Sequence, residues 1–182
     1  MLDLDTVIRI ITALGAVATA IGVFVAYRAL KANHDWNRRQ YAVKLVEDWN
    51  PQTLVHRKAV EALLPGLIDV DKQSRKIAEI TKQLALEIYA SKSGEPYWEL
   101  KFHLIELLNY FEPVSASYLN LVADEAMVRD SFKQPLENWY QALQNFITVV
   151  AENRRLNPWK PYTDVIARWK GEEGKGPRPP TG

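Results

Sequence analysis

Residues 10–27 read IITALGAVATAIGVFVAY, eighteen residues without a single charge. At about 1.5 Å per residue this run makes roughly 27 Å of helix, close to the ~30 Å hydrocarbon core of a bilayer. Val7 and Ile8 before it, and Ala29 and Leu30 behind it, extend its apolar character. A buried core helix of a soluble protein and a cleavable signal peptide are the competing readings. Asp3 and Asp5 stand where a signal peptide carries its basic region, which favours a retained anchor. The expected span is about residues 8–27, inside an N-terminal segment 1–30.

Charge gives the span a direction. Asp3, Asp5 and Arg9 precede the run, whereas Arg28, Lys31, Arg38, Arg39 and Lys44 follow it. An excess of Lys and Arg marks the cytoplasmic flank. The expected placement is therefore a single pass through a bacterial inner membrane, with the N-terminus outside and the rest cytoplasmic. Arg28, Lys31, Arg38 and Arg39 are expected at the membrane surface, where each gains about 1 kcal/mol from anionic headgroups. The same basic stretch, with Trp36 and Tyr41 as stacking platforms, also suits a single-stranded nucleic acid.

The run is two-sided. Thr12, Gly15, Thr19, Gly22 and Ala26 recur at alternating intervals of three and four, and so do the bulky Ile10, Leu14, Val17, Ile21 and Phe24. Helices in lipid associate through small residues that let backbones approach, with threonines available for hydrogen bonds across the contact. The small stripe therefore predicts helix packing between copies, or the lining of a narrow pore. Arg9, at the outer end, either snorkels to the headgroups or forms a positive collar at a pore mouth.

No glycine or proline interrupts residues 28–50. The anchor is expected to continue as one helix to Asn50-Pro51, because the residue before proline is pushed out of the α region. That makes a rod of about 45 residues, roughly 65 Å long. Asn50 is then expected to cap a second helix that ends near Leu64, ahead of Pro65-Gly66. A third helix is expected from about Lys72 to Lys92, burying Ile77, Ile80, Leu84 and Ile88. A fourth carries Leu100, Leu104, Leu107, Phe111, Val114, Tyr118 and Leu121 on one stripe, with a kink at Pro113. Asp124 caps a short helix through Phe132, another begins near Pro135, and a last one covers Tyr162 to Lys170. Nothing between Asp35 and Lys170 alternates as a strand does. The predicted fold is all-α, one N-terminal transmembrane helix continuing into a cytoplasmic helical bundle at 31–170, with a flexible tail at 171–182.

Composition removes several function classes. The chain has 23 Lys+Arg against 22 Asp+Glu, a net charge of +1, so nothing points to duplex DNA. It has no Cys, which excludes disulfides, thiolate zinc sites and cysteine nucleophiles. No phosphate-binding glycine loop and no G-x-S-x-G elbow occurs. Glu99, His103 and Glu106 share one helix face, but a di-metal bundle draws carboxylates from several helices, so a structural role is expected and no metal or cofactor. Arg28 and His34 have the loose R-x4–6-H spacing of HEPN ribonucleases. Six residues apart on a straight helix, they differ by about 120° in azimuth and do not converge. Enzyme activity is not expected.

Trp36-Asn37-Arg38-Arg39 after a single anchor, then Leu107-Leu108-Asn109-Tyr110-Phe111-Glu112 and the acidic cap Asp124-Glu125, resemble a broad bacterial family of single-pass proteins with a cytoplasmic helical domain of unknown function. The resemblance covers most of the chain and implies no catalytic residues. The architecture also looks like small membrane effectors of anti-phage systems, among them the accessory membrane protein of some RNA-targeting CRISPR systems and the channel partner of Hailong-type nucleotidyltransferases. That likeness implies a homo-oligomer that perturbs the membrane when a cytoplasmic protein, nucleotide or oligonucleotide triggers it. Two functions follow as expectations: an oligomeric, gated membrane pore, or a non-catalytic anchor that recruits a cytoplasmic partner to the bilayer.

Overall fold

The computed structural model describes residues 3–67 and 78–173. These form five helices, α1 (Leu4–Leu63), α2 (Lys82–Ala90), α3 (Trp98–Leu119), α4 (Glu125–Arg154) and α5 (Lys160–Glu173), with no strand among the described residues. The chain is all-α, as its patterning requires.

α1 opens at Asp3, whose carboxylate accepts from the Thr6 amide at 2.7 Å, a standard N-cap. It then runs for 60 residues, about 90 Å. The expected stop at Asn50-Pro51 does not occur. Proline inside a helix removes one hydrogen bond and crowds the preceding turn, at a cost of about 3 kcal/mol. Local and tertiary contacts offset that cost. The Thr53 hydroxyl donates to the Trp49 carbonyl, and the Arg57 guanidinium lies 4.6 Å over the Trp49 ring while donating to Asn50 Oδ1 at 2.6 Å. Beyond the proline, Thr53 and Val60 are buried in the core. Asn50 thus serves as an acceptor for Arg57 instead of capping a second helix.

α4 repeats the lesson. Asp124 does cap it, accepting from the Met127 amide at 3.0 Å, but the helix passes through Pro135 to Arg154 without a break. Immediately after that proline, the buried Tyr162 hydroxyl of α5 donates to the Leu136 carbonyl at 2.6 Å. α3 likewise contains Pro113 within one helix. In each case fully or nearly fully buried neighbours hold the proline turn in place, Phe111 and Val114 in α3 and Phe132 and Leu136 in α4.

The third expected helix is shorter than the pattern implied. Residues 68–77, among them Lys72 and Ile77, lie outside the described residues, as does the expected tail beyond Glu173. Residues 78–81 are not helical, because α4 claims their backbone. The Ile80 amide donates to the Ala142 carbonyl at 3.0 Å, and Asn145 donates to the Ile80 carbonyl at 2.9 Å. Thr81 then caps α2, accepting from the Leu84 amide at 3.2 Å.

α3 is the middle of the core, with Leu104, Leu107, Leu108 and Phe111 fully buried. Around Phe111 lies an aromatic cluster. Trp49 of α1 stands 5.5 Å from Tyr110, 5.7 Å from Phe111 and 5.9 Å from Phe132, and Phe111 is 5.2 Å from Tyr162. The cluster joins α1, α3, α4 and α5. The Phe111→Ala variant of the full chain in detergent should lose about 3–5 kcal/mol in chemical denaturation of the helical domain. Phe24→Ala, on the bare part of α1, should leave that transition where it is.

Candidate functional site

Every residue from Thr12 to Asn37 is exposed, a bare rod of about 39 Å. Its apolar part has a mean hydropathy of 1.7 over eighteen residues, none of them buried, and it is one candidate membrane helix by length and composition. Leu14 is 64% exposed and Ile21 58%, so the domain itself offers this surface no cover.

The expected small stripe lies together. At about 100° per residue, Thr12, Gly15, Thr19, Gly22 and Ala26 fall within an arc of about 80°, and the bulky stripe centres roughly 160° away. A Cβ placed on Gly15 or Gly22 would meet nothing within 4 Å, so the face is open to a close partner. The Thr19 hydroxyl donates to the Gly15 carbonyl at 2.8 Å, leaving its oxygen able to accept. The Arg9 side chain lies outside the described residues.

The basic residues expected at the membrane surface divide into two pairs. Arg28 packs 4.9 Å over the Phe24 ring, and Lys31 is exposed on the rod. Arg38 and Arg39 reach the turn between α3 and α4. Arg38 donates to the Ala123 carbonyl at 3.2 Å and its own carbonyl accepts from the Asp124 amide at 3.1 Å, while Arg39 pairs with Asp124 at 3.6 Å. About two turns further on, the buried Tyr110 hydroxyl donates to the Leu45 carbonyl at 2.6 Å. Burial, helped by Asp48, pushes the Tyr110 pKa up to about 12, which keeps it a donor. The W-x-x-R-R and L-L-N-Y-F-E segments therefore touch one junction, where rod becomes domain.

A family profile for DUF4760, a domain of unknown function, matches residues 16–169. The chain belongs to the DUF4760 family. No curated protein and no solved structure matches it at a significant level. The DUF4760 match begins inside the apolar run and ends in α5, so the family's domain includes the rod as well as the bundle.

The Glu99-His103-Glu106 face of this DUF4760 domain holds a different contact from the metal site its spacing allows. His103 Nδ1 lies 2.9 Å from His56 Nδ1 of α1, and Phe102 packs against both rings at 5.3 and 5.9 Å. Among the described residues no group of three or more His, Cys, Asp or Glu is placed to hold a metal ion. One imidazole donates and the other accepts, an arrangement that requires at least one neutral ring. His34 stands 4.0 Å from Asp35, apart from the Arg28–Phe24 contact, so the R-x4–6-H residues do not converge. Sequence reading missed His56, whose partner lies 47 positions away and leaves no local signal. It also missed two cavities along α1, about 350 Å³ against α3 and about 520 Å³ against α4.

Burial and then His56 hold the His103 pKa below its usual 6.5, with Glu99 pulling the other way. The unfolded chain then binds more protons than the folded one just below pH 6.5, so stability falls as pH drops through that value. Thermal unfolding between pH 7.5 and pH 5 should show this slope, and His103→Gln should flatten it.

Proposed function

We propose that this DUF4760 protein is a homo-oligomeric membrane effector of a bacterial defence or stress response, in which copies pack their spans through the Thr12–Ala26 stripe and the cytoplasmic domain gates a pore on binding a ligand or partner. The span crosses the inner membrane once with the N-terminus outside, and Arg9 lies at the outer mouth. One observation carries the reading: the small stripe and the domain sit on different sides of one unbroken helix. The domain-facing Ala42, Leu45 and Trp49 centre roughly 130° round α1 from the stripe. Copies meeting along the stripe therefore keep their domains on the outside, free of one another's path.

The stripe also outlasts the span. Ala29, Asn33, Asn37 and Gln40 continue its spacing and are exposed, while Arg28, Lys31, Asp35, Arg38 and Arg39 point to the other side. Amides at such positions fix register when helices assemble. An uncharged seam from Thr12 to Gln40 is more than a tether requires, and this favours the pore over the recruiting anchor.

Mass measurement of the full chain in detergent should give one defined oligomer, with a closed ring and the N-terminal helices at its axis. Gly15→Leu or Gly22→Leu should dissociate it and abolish ion flux from proteoliposomes, whereas Leu14→Ala on the bulky face should preserve both. A monomer in detergent, or full function after residues 1–30 are replaced by an unrelated anchor, would refute the proposal.

A further inference from the structure

The cavity of about 520 Å³ opens between the second half of α1 and the first half of α4, next to the Pro51 turn. Its volume falls in the roughly 300–1,000 Å³ range of small-molecule sites. Trp49, Arg57, Lys58 and Glu61 line it from α1, and Asn138 and Trp139 from α4. Indole rings, two cations and an amide thus converge on one space.

Arg57 is held in an unusual way for a cation. Its guanidinium carbon lies 4.6 Å from the Trp49 ring centroid, its Nε donates to Thr53 Oγ1 at 3.1 Å and its Nη2 to Asn50 Oδ1 at 2.6 Å. These partners are neutral, and no carboxylate among the described residues pairs with it. A guanidinium has five donors, so most of Arg57's remain unspent. Burial presses its pKa below the usual value without discharging it. Lys58 adds a second positive charge and Glu61 a single negative one, leaving the lining positive by one among the described residues. A partly desolvated cation, held by neutral partners and bonded to no carboxylate among the described residues, is strengthened by an anion that supplies two acceptor oxygens.

We infer that this cavity binds a small organic anion carrying a planar ring, of mononucleotide size, with its anionic group on Arg57. A planar ring suits the guanidinium plane, and the Asn138 amide offers donors and acceptors to a ring edge. A phosphate on a lipid has the same anionic chemistry. In the membrane reading above, however, Arg57 lies thirty residues past Tyr27, about 45 Å along the helix and beyond the headgroups. Binding itself needs neither an oligomer nor a pore, so its loss and the loss of the pore proposal are separate outcomes.

Calorimetric titration of the full chain in nonionic detergent with adenosine monophosphate provides the test, with adenosine and inorganic phosphate as halves of the probe. Adenosine monophosphate should saturate, and each half should bind at least about tenfold more weakly. Arg57→Gln should weaken the nucleotide at least about tenfold, and Glu61→Gln, which removes the competing carboxylate, should strengthen it. Absence of saturable nucleotide binding overturns the inference, as does an affinity unchanged by Glu61→Gln, a variant that remains informative if Arg57→Gln does not fold. Displacement of the nucleotide by phosphatidylglycerol nanodiscs would replace the free ligand with a lipid and overturn it too.

Discussion

The grip of the bundle on Trp49 is the contact on which the rest of the molecule depends. This indole belongs to the same helix as the bare apolar rod, yet it packs against Tyr110, Phe111 and Phe132 and carries the Arg57 guanidinium over its ring. Aromatic pairs of this kind contribute about 0.5–1.5 kcal/mol each beyond the area they bury. The cluster also keeps α1 helical through a proline that would otherwise end it. If Trp49 were loose, the rod would join the domain by a hinge. Because it is held, the rod is a projection of the domain's own core.

The junction adds a second layer of hold that uses backbone acceptors. The Leu45 and Arg38 carbonyls of α1 each accept a bond from outside the helix, from Tyr110 and from the Asp124 amide. Carbonyls already engaged in a helix still have a lone pair to offer, so α3 and α4 attach without interrupting α1. Arg38 and Arg39 then do double duty in sequence terms. As charges they belong to the basic stretch that follows the apolar run, and as side chains they fasten the turn that starts α4.

The all-α class, the bare apolar run and most buried positions were legible because each depends on local periodicity. Leu100, Leu104, Leu107, Phe111, Val114 and Tyr118 recur on one face and are all buried, whereas Leu121, expected on the same stripe, lies exposed in the turn after α3. Asp124 was legible as a cap because capping is a contact between residues three apart. Pro51 and Pro135 misled because a proline's local cost of about 3 kcal/mol is visible in sequence, whereas the packing that offsets it comes from distant helices. Residues 78–81 misled in the opposite sense: an apolar helical spacing gave way because Ala142 and Asn145 of α4 took the backbone. His56 with His103, and the cavity that Arg57 shares with α4, depend on tertiary juxtaposition that no spacing rule encodes. The small stripe was fully readable, since a helix face needs only the period.

The absence of any linker between rod and bundle turns sequence length into a matter of phase. Adding one residue to the bare stretch between Arg28 and Asn37 would swing the bundle by about 100° about the α1 axis relative to Gly15 and Gly22, while lifting it only about 1.5 Å. Adding seven would bring it back to within about 20° of its original bearing, one long step further out. The chain is thus geared like a shaft keyed to a wheel: azimuth, more than reach, is the quantity its uninterrupted helix keeps fixed.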